Sequence, residues 1–232
     1  AYTSRLKVLG EKNNQVLTSL GNLALYYKSK GDYNKAIELC EKAYENTCDI
    51  LGENHPDTLL LLSNLASYYD AKGDYNKAIM LCEKAYKARL DVLGENHPDT
   101  LTSVNNLSSY YYNAGDFKKS TALCEQVLSK RIQVLGEEHP DSITSLNNLA
   151  SRYGKLGEYK KAVELGKKAY EIYLKTIGTD HPLVVTLMKN LSVYYYALND
   201  YVNAEIWCEK HYNLSLKLNG ENHPETISSI ND

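Results

Sequence analysis

The sequence predicts an all-α fold, a solenoid built from stacked helix-turn-helix repeats. A unit of 42 residues recurs along the chain, and its clearest marker is a glycine at the same position in each copy. This glycine is found at Gly10, Gly52, Gly94, Gly136, Gly178 and Gly220. Apolar residues within each copy recur at spacings of three and four, and a turn divides the copy into two helical stretches. Repeats of this length cannot bury their apolar faces alone, so consecutive copies must stack.

The 232 residues are predicted to form one repeat array, 1–232. Its full repeats are 9–50, 51–92, 93–134, 135–176 and 177–218, and they are flanked by the partial repeats 1–8 and 219–232. Both ends align with the interior of complete repeats, and the chain opens without methionine. We therefore expect a piece of a longer array.

The first helix of each repeat is helix A, and in the repeats that contain a His-Pro pair it is predicted to begin at that pair. Proline suits the first helical position, the residue before it is extended, and an acid that follows meets the positive helix end. In the second repeat this predicts a helix that begins at Pro56 and stops at Lys72, before Gly73. Its apolar face is Leu59, Leu62, Leu65, Ala66 and Tyr69.

The second helix, helix B, follows a turn made of glycine and an acid. In the second repeat Gly73 ends helix A, and Asp74 caps a helix predicted from Tyr75 to about Leu93. Asn199 replaces the glycine in the fifth repeat, and asparagine is the next residue after glycine to accept a left-handed conformation. Small residues mark the closest approach of the helices. They are Ala24, Ala66, Ser108, Ala150 and Ser192 in helix A, and Ala36, Ala78, Ser120, Ala162 and Ala204 in helix B.

Composition excludes several classes of partner. The net charge is -3 and no block of lysine or arginine is present, so nucleic acid is not expected as a partner. No apolar run is long enough to span a membrane, and no signal peptide opens the chain. Cys40, Cys82, Cys124 and Cys208 share one position of the repeat and are predicted to be core thiols, as is Cys48. Unpaired core thiols favour a reducing compartment, so we expect a cytoplasmic protein.

No catalytic or metal constellation stands out. The histidines of the His-Pro pairs occur once per repeat, at His55, His97, His139, His181 and His223, so they cannot converge on one ion and are interpreted as turn residues. His211 and Trp207 replace smaller residues in the fifth repeat, which predicts local repacking. No phosphate-binding loop, paired acids or nucleophile is evident. We therefore expect no enzyme activity, no cofactor and no metal.

The repeat resembles a known family. Asn22-Leu23-Ala24, Tyr27, Gly31-Asp32-Tyr33, Ala36, Cys40 and Ala43 resemble the tetratricopeptide pattern. The 42-residue length, the LGENHPDTL segments and the pair Asn147-Asn148 resemble the longer repeats of kinesin light chains and of related arrays. This resemblance implies a right-handed α-solenoid whose helices A line a concave groove that receives a peptide. It further implies a ligand that combines an aromatic residue with acids.

Helical geometry turns a second side of helix A away from the core, and candidate binding residues lie there. They are Asn64, Ser67, Asn105, Asn106, Ser109, Tyr112, Asn147, Asn148, Ser151, Lys155, Lys189 and Asn190. One position is asparagine in every repeat: Asn22, Asn64, Asn106, Asn148 and Asn190. This amide either ties adjacent helices together or holds a ligand's backbone, and both roles stay open. The basic residues Arg152, Lys155 and Lys189 predict that an acidic peptide docks toward the C-terminal half.

Three functional hypotheses follow. The first is a non-catalytic scaffold that binds a protein or peptide in the groove lined by helices A. The alternative is a sensor or regulatory repeat arm of a multidomain signalling enzyme, such as a nucleotidase or a protease. The third is assembly through exposed repeat ends, which makes dimers or filaments. The sequence does not fix the oligomeric state.

Overall fold

The computed structural model describes Val8, Gly10, residues 13–176, Gly178 and residues 180–231, and these residues form eleven α-helices and no β-strand. In chain order they are α1 Asn14–Ser29, α2 Tyr33–Leu51, α3 Pro56–Lys72, α4 Tyr75–Leu93, α5 Pro98–Asn113, α6 Phe117–Leu135, α7 Pro140–Lys155, α8 Tyr159–Thr176, α9 Pro182–Ala197, α10 Tyr201–Asn219 and α11 Pro224–Asn231. Helices α1, α3, α5, α7 and α9 are the predicted helices A. The all-α prediction is confirmed. The partial repeat 1–8 lies outside the described residues except for Val8.

Contacts between Cα atoms divide the chain into two compact units, Ala1–Asp116 (unit 1) and Phe117–Asp232 (unit 2). In unit 1 each helix from α1 to α5 packs on the next, and α3 also touches α5. In unit 2 each helix from α6 to α11 packs on the next, and α7 also touches α9. Packing of every helix on its sequence neighbours is the arrangement of stacked helix-turn-helix repeats. The boundary falls in the turn of the repeat 93–134, and the single array 1–232 stays a prediction.

Helices α3, α5, α7 and α9 begin at the His-Pro pairs, and the histidine is the N-cap, whereas α1 begins at Asn14 after the N-cap Asn13. His55 has extended backbone angles, φ -68° and ψ 141°, and its Nδ1 accepts a hydrogen bond from the backbone N–H of Asp57 at 3.2 Å. The same hydrogen bond recurs at His97, His139 and His181. Each imidazole therefore satisfies one of the free N–H groups at a helix start, a more specific role than the predicted turn residue.

The ends of helices A and the starts of helices B agree with the sequence. Gly73 ends α3 in the left-handed conformation, with φ 89° and ψ 6°. Asn199 has φ 60° and is the one non-glycine residue with positive φ among those described, which confirms its predicted role. The Asp74 carboxylate accepts a hydrogen bond from the backbone N–H of Lys77 at 3.2 Å, and this caps α4.

The small residues that were predicted at the closest helix contacts are all buried. Ala24, Ala66 and Ser108 in unit 1 are fully inaccessible to solvent. In unit 2, Ala150 and Ser192 are 1% exposed. Larger apolar residues, such as Leu62 in unit 1 and Leu146 in unit 2, fill the space between these contacts. Each unit therefore has a packed core in which the small positions set the helix separation.

The thiols are free, as predicted, but not all of them are core groups. Cys40, Cys82 and Cys124 are buried, whereas Cys48 and Cys208 are partly exposed. Burial raises the pKa of Cys40 and of Cys82 to about 12. The prediction of a core position is therefore right for three thiols and wrong for the other two. At Cys208 the reason is a pocket that opens beside it.

Candidate peptide-binding face

Each helix A turns one side toward solvent, and the predicted site residues lie on it. In unit 1 these are Asn64 and Ser67 on α3 and Asn105, Asn106, Ser109 and Tyr112 on α5. In unit 2 they are Asn147, Asn148, Ser151 and Lys155 on α7 and Lys189 and Asn190 on α9. All twelve are partly or fully exposed. Their neighbours Leu65, Ala66 and Leu107 are buried. We call these two surfaces the A-face of unit 1 and the A-face of unit 2.

Within each unit, adjacent helices A are joined by hydrogen bonds across the A-face. In unit 1, Lys28 Nζ on α1 donates to Ser67 Oγ on α3 at 2.7 Å. Asn113 Nδ2 on α5 donates to Asp70 Oδ1 on α3 at 2.8 Å. In unit 2, Lys189 Nζ on α9 donates to Ser228 Oγ on α11 at 3.2 Å. Each A-face is therefore a surface shared by successive repeats, and Ser67 and Lys189 partly serve to hold it together.

The asparagine that recurs in every repeat lies on the A-faces, and at two positions of unit 1 its amide is available. Within the part of the chain that the structure describes, the side-chain amides of Asn64 and Asn106 have no hydrogen-bond partner. A primary amide donates two hydrogen bonds and accepts two, so both side chains keep this capacity for solvent or a ligand. The interpretation that the amide ties adjacent helices together finds no support at these two positions.

Asn147 is a different case because part of its side chain is buried. Its Oδ1 is inaccessible and has no hydrogen-bond partner among the described residues. An unsatisfied buried acceptor costs about 1–3 kcal/mol relative to a satisfied one. Of the predicted A-face residues, Asn147 is therefore the one whose side chain lowers stability.

A buried arginine lies beneath the A-face of unit 1. Arg89 on α4 is 8% exposed, and its guanidinium donates to Ser63 Oγ at 2.9 Å and to Ser103 Oγ at 2.6 Å. It also donates to the backbone oxygen of Leu59 at 3.2 Å. Burial lowers the pKa of Arg89, but guanidinium stays protonated in proteins. These three acceptors are uncharged, and the nearby Asp99 carboxylate offsets part of the charge of Arg89.

Arg131 is the buried arginine at the equivalent repeat position of unit 2. It is 5% exposed and donates to Ser145 Oγ at 2.9 Å and to the backbone oxygen of Asp141 at 3.1 Å, both on α7. Sequence analysis missed these arginines as functional residues. The signal was present, because one position of helix B reads Thr47, Arg89, Arg131, Tyr173 and Ser215 along the repeats. Because this position is buried, the residue that occupies it determines which side chain lies between neighbouring helices A.

Thr47 leaves a pocket open in unit 1, because it stands where arginine or tyrosine stands in other repeats. The pocket lies between α1 and α3 and has a volume of about 460 Å³. Its apolar lining includes Leu25 and Leu60, which are 47% and 54% exposed, and its polar lining includes the amides of Asn22 and Asn64. In unit 2 the buried ring of Tyr173 occupies the corresponding repeat position. The pocket is therefore of a size and polarity that suits an aromatic side chain.

The prediction for Arg152 is wrong. This side chain is 7% exposed, because its position in helix A is the one that buries Tyr68, Tyr110 and Tyr194 in other repeats. Lys155 is exposed and Lys189 is partly exposed, so these two lysines are the cations on the A-face of unit 2. An acidic ligand of this face would meet Lys155 without first displacing packed side chains.

Neither a metal centre nor a membrane segment emerges in the described part of the chain. Among those residues, no group of three or more His, Cys, Asp or Glu side chains could hold a metal ion. No described helix is both long and apolar enough to cross a membrane. His55, His97, His139 and His181 instead act as helix caps.

Comparison with known proteins identifies the repeats. Family models described as tetratricopeptide repeats match residues 15–91, 57–128, 103–175 and 184–225. The chain belongs to the tetratricopeptide repeat family. Repeats of this family generally mediate binding between proteins, so the chain is a helical scaffold of the protein-interaction type. No curated protein matches it.

Solved structures agree with this assignment. Two structures of nearly identical repeats from Podosopora anserina, named as a putative kinesin light chain, are 29% and 28% identical to this chain, with TM-scores of 0.77 and 0.76. The first matches over 87% of this chain and 95% of its own length, and the second matches over 88% of this chain and 96% of its own length. BtubC from P. vanneervenii shares the fold at 24% identity, with a TM-score of 0.78 over 90% of this chain and 83% of its own. The resemblance to kinesin light chain repeats is therefore confirmed.

Proposed function

We propose that this protein is a non-catalytic scaffold whose A-faces bind a peptide segment of a partner protein. The observation that carries the proposal is the recurring asparagine, whose side chains at Asn64 and Asn106 are partly exposed and without a hydrogen-bond partner in the described structure. Free amides at the same position of two successive repeats match an extended peptide, which presents backbone N–H and C=O groups at regular intervals. Asn105 and Ser109 in unit 1, and Ser151 in unit 2, add polar groups beside it.

Two features support an acidic ligand that carries an aromatic residue. Arg89 and Arg131 place buried positive charge under the A-faces of units 1 and 2, and Lys155 adds an exposed cation in unit 2. A charge in a low-dielectric site acts more strongly on a ligand than the same charge in water. The pocket beside Thr47 accepts an aromatic ring next to the Asn64 amide. The free thiols are consistent with the predicted cytoplasmic location.

Selection and point variants test this function. Peptides are selected from a random display library on the immobilised protein, and their affinities are measured by fluorescence anisotropy. We expect the unit 1 variant Asn64→Ala plus Asn106→Ala to weaken its selected peptides by about tenfold or more, since each lost hydrogen bond contributes about 0.5–1.5 kcal/mol. The matched control is Asn34→Ala plus Asn76→Ala, which removes two exposed asparagines from helices B of the same unit.

The control should bind as the parent does, with the same helicity by circular dichroism. Higher salt should weaken binding if the arginines and Lys155 attract acids. Equal affinity in the A-face and control variants would place the binding surface elsewhere and reject the proposal.

A further inference from the structure

A pocket opens on the side of unit 2 that is formed by helices B. It is lined by residues of α8, α9 and α10 and has a volume of about 280 Å³. Its lining combines two lysines, Lys167 and Lys210, with the rings of Tyr170, Tyr195 and Trp207. The Tyr170 and Trp207 rings meet edge to face with their centres 4.9 Å apart. We call this site the B-pocket, and none of the described residues that line it belongs to an A-face.

Three other junctions between repeats show which group accompanies a tyrosine at this place. At each of them a tyrosine of helix A donates a hydrogen bond to a glutamate 28 residues earlier, on the preceding helix B. The pairs are Tyr69 with Glu41 at 2.7 Å and Tyr111 with Glu83 at 2.8 Å in unit 1, and Tyr153 with Glu125 in unit 2. A carboxylate is therefore the usual hydrogen-bond acceptor for this tyrosine.

The junction at the B-pocket lacks that carboxylate. Tyr195 is the corresponding tyrosine, and the residue 28 positions before it is Lys167. Tyr195 is partly exposed, and its hydroxyl has no hydrogen-bond partner among the described residues. An ammonium group donates hydrogen bonds but accepts none, so Lys167 cannot replace the glutamate as the acceptor. The Tyr195 hydroxyl therefore keeps its proton available in a pocket that also holds a cation.

Lys210 is a second cation without an acid. In two other repeats the lysine at its position pairs with a glutamate of a preceding loop. The pairs are Lys84 with Glu53, whose Nζ and Oε2 atoms are 3.5 Å apart, in unit 1, and Lys168 with Glu137 in unit 2. For Lys210 the corresponding position in the sequence is Thr179. Within the described part of the chain no carboxylate pairs with Lys210, whose Nζ lies 4.4 Å from the centre of the Trp207 ring.

The charges that line the B-pocket favour an anion. Glu171 is the one acid among the described lining residues, against two lysines. Asn203 adds no charge, and its Nδ2 donates to Asp200 Oδ2 at 2.8 Å. The equivalent pocket of unit 1 is balanced, because its lining contains two acids and two lysines, namely Glu41, Glu45, Lys77 and Lys84. The B-pocket has thus lost an acid and keeps an excess of positive charge.

We propose that the B-pocket binds a glutamate side chain from an acidic segment of a partner protein. The incoming carboxylate accepts the hydrogen bond of Tyr195, as the chain's own glutamates do at three junctions, and Lys167 and Lys210 supply the positive charge. Hydrogen bonds to a charged acceptor are about twice as strong as those between neutral groups. The site goes beyond the proposed A-face function, because it lies on helices B, receives a separate segment and needs none of the A-face residues.

An exposed apolar group beside the lysines favours a protein segment as the source of the carboxylate. Ile206 on α10 lines the pocket and is 42% exposed. A free small carboxylate would leave Ile206 in water, whereas a peptide covers it with a residue next to its glutamate. Interfaces between proteins combine such apolar contacts with polar and charged groups at the rim.

Trp207 offers a direct readout, because it is the one tryptophan of the chain and lines the B-pocket. The probe is a short peptide that has one glutamate between two leucines and no aromatic residue. We expect a saturable change in Trp207 fluorescence, with an affinity about tenfold higher than that of the same peptide with glutamine in place of glutamate. Free glutarate should bind at least tenfold more weakly than the glutamate peptide, because it cannot cover Ile206.

Two variants of the protein test the named contacts. Lys167→Glu returns an acid to the place beside Tyr195 and should weaken the peptide by about tenfold or more. Its matched control is Lys175→Glu, the same change of charge at an exposed residue of α8 that does not line the pocket. Tyr195→Phe removes a hydroxyl that has no partner in the described structure, so it should weaken the peptide about fivefold without altering thermal unfolding.

Several results would overturn the inference. They are an absence of saturable binding, equal affinities for the glutamate and glutamine peptides, and equal affinities of the Lys167→Glu and Lys175→Glu proteins. Glutarate that binds as tightly as the peptide would assign the pocket to a small carboxylate. A dimer that sedimentation velocity detects without peptide, and that only Lys167→Glu abolishes, would assign it to an acid of a second copy. The asparagine variants of the A-face leave the B-pocket intact, so the two proposals are judged separately.

Discussion

Tyr68 and Tyr69 are adjacent residues of α3 with opposite polar environments. The Tyr68 hydroxyl is buried and has no hydrogen-bond partner among the described residues. The Tyr69 hydroxyl donates to Glu41 Oε1 at 2.7 Å and accepts from Lys77 Nζ at 2.6 Å. The ring of Tyr68 therefore contributes packing while its hydroxyl lowers stability, whereas Tyr69 contributes both packing and hydrogen bonds.

This difference predicts opposite effects for the same substitution. Tyr68→Phe should leave the free energy of unfolding unchanged or raise it by about 1 kcal/mol, because it removes an unsatisfied group. Tyr69→Phe should lower it by about 0.5–1.5 kcal/mol, because it breaks a hydrogen-bonded network. Urea unfolding followed by circular dichroism measures both. A loss at Tyr68 as large as that at Tyr69 would contradict the described packing.

At the residue scale, the sequence predicted the candidate site only in part. The recurring asparagine was visible because five copies of one position can be compared within one chain. The burial of Arg152 was not, because its counterparts are tyrosines and an arginine at such a position reads as an exposed cation. The role of Arg89 was not predicted, since its acceptors lie on two other helices that only the fold brings together.

Helix termini explain why the elements could be predicted closely. The turn residues gave α4 its start at Tyr75 and its end near Leu93, and the structure has the same bounds. Glycine and proline act through backbone geometry alone, so their meaning does not depend on distant contacts. The histidine caps were not predicted, because histidine is not among the residues that usually cap helices, and the Nδ1 hydrogen bond needs a particular ring orientation.

The turn after α9 offers a prediction at the scale of the element. Asn199 holds φ 60°, a conformation that costs most L residues about 1–2 kcal/mol. Asn199→Gly should therefore match or exceed the parent in stability, and Asn199→Ala should lose about 1 kcal/mol. Thermal unfolding of the three proteins measures the order. An alanine variant as stable as the glycine variant would show that this turn does not limit stability.

At the scale of the whole molecule, repetition made the fold class predictable. Every repeat has the same apolar pattern, so a misreading of the helices in one repeat is corrected by comparison with the others. The division into units 1 and 2 was not predictable, because the turn at Gly115-Asp116 reads like every other turn of its kind. The pocket between α1 and α3 was also invisible in the sequence, because it depends on the small side chain of Thr47, whose counterparts in the next three repeats are large.

Buried thiols predict a loss of stability at alkaline pH. Burial raises the pKa of Cys40 and Cys82 from the ordinary 9.0 to about 12, so the folded protein keeps both protonated where the unfolded chain ionises. Their contribution to stability is therefore complete below about pH 9 and falls as pH rises toward about 12. Urea unfolding at about pH 8 and about pH 10.5 should differ by on the order of 1 kcal/mol per thiol.

The matched control is the double variant Cys40→Ala plus Cys82→Ala, which retains every other titrating group. Its stability should fall less between the two pH values than that of the parent. An equal fall in both proteins would show that the thiols do not contribute to the alkaline sensitivity.

We propose that helices A, not helices B, receive the partner peptide. The most direct measurement is photo-crosslinking of a selected peptide that carries a benzoylphenylalanine, with the labelled residues identified by mass spectrometry. We predict labels on the A-faces, within α1, α3 and α5 of unit 1 or within α7 and α9 of unit 2. Labels confined to helices B, such as α4 or α8, would contradict the proposed function.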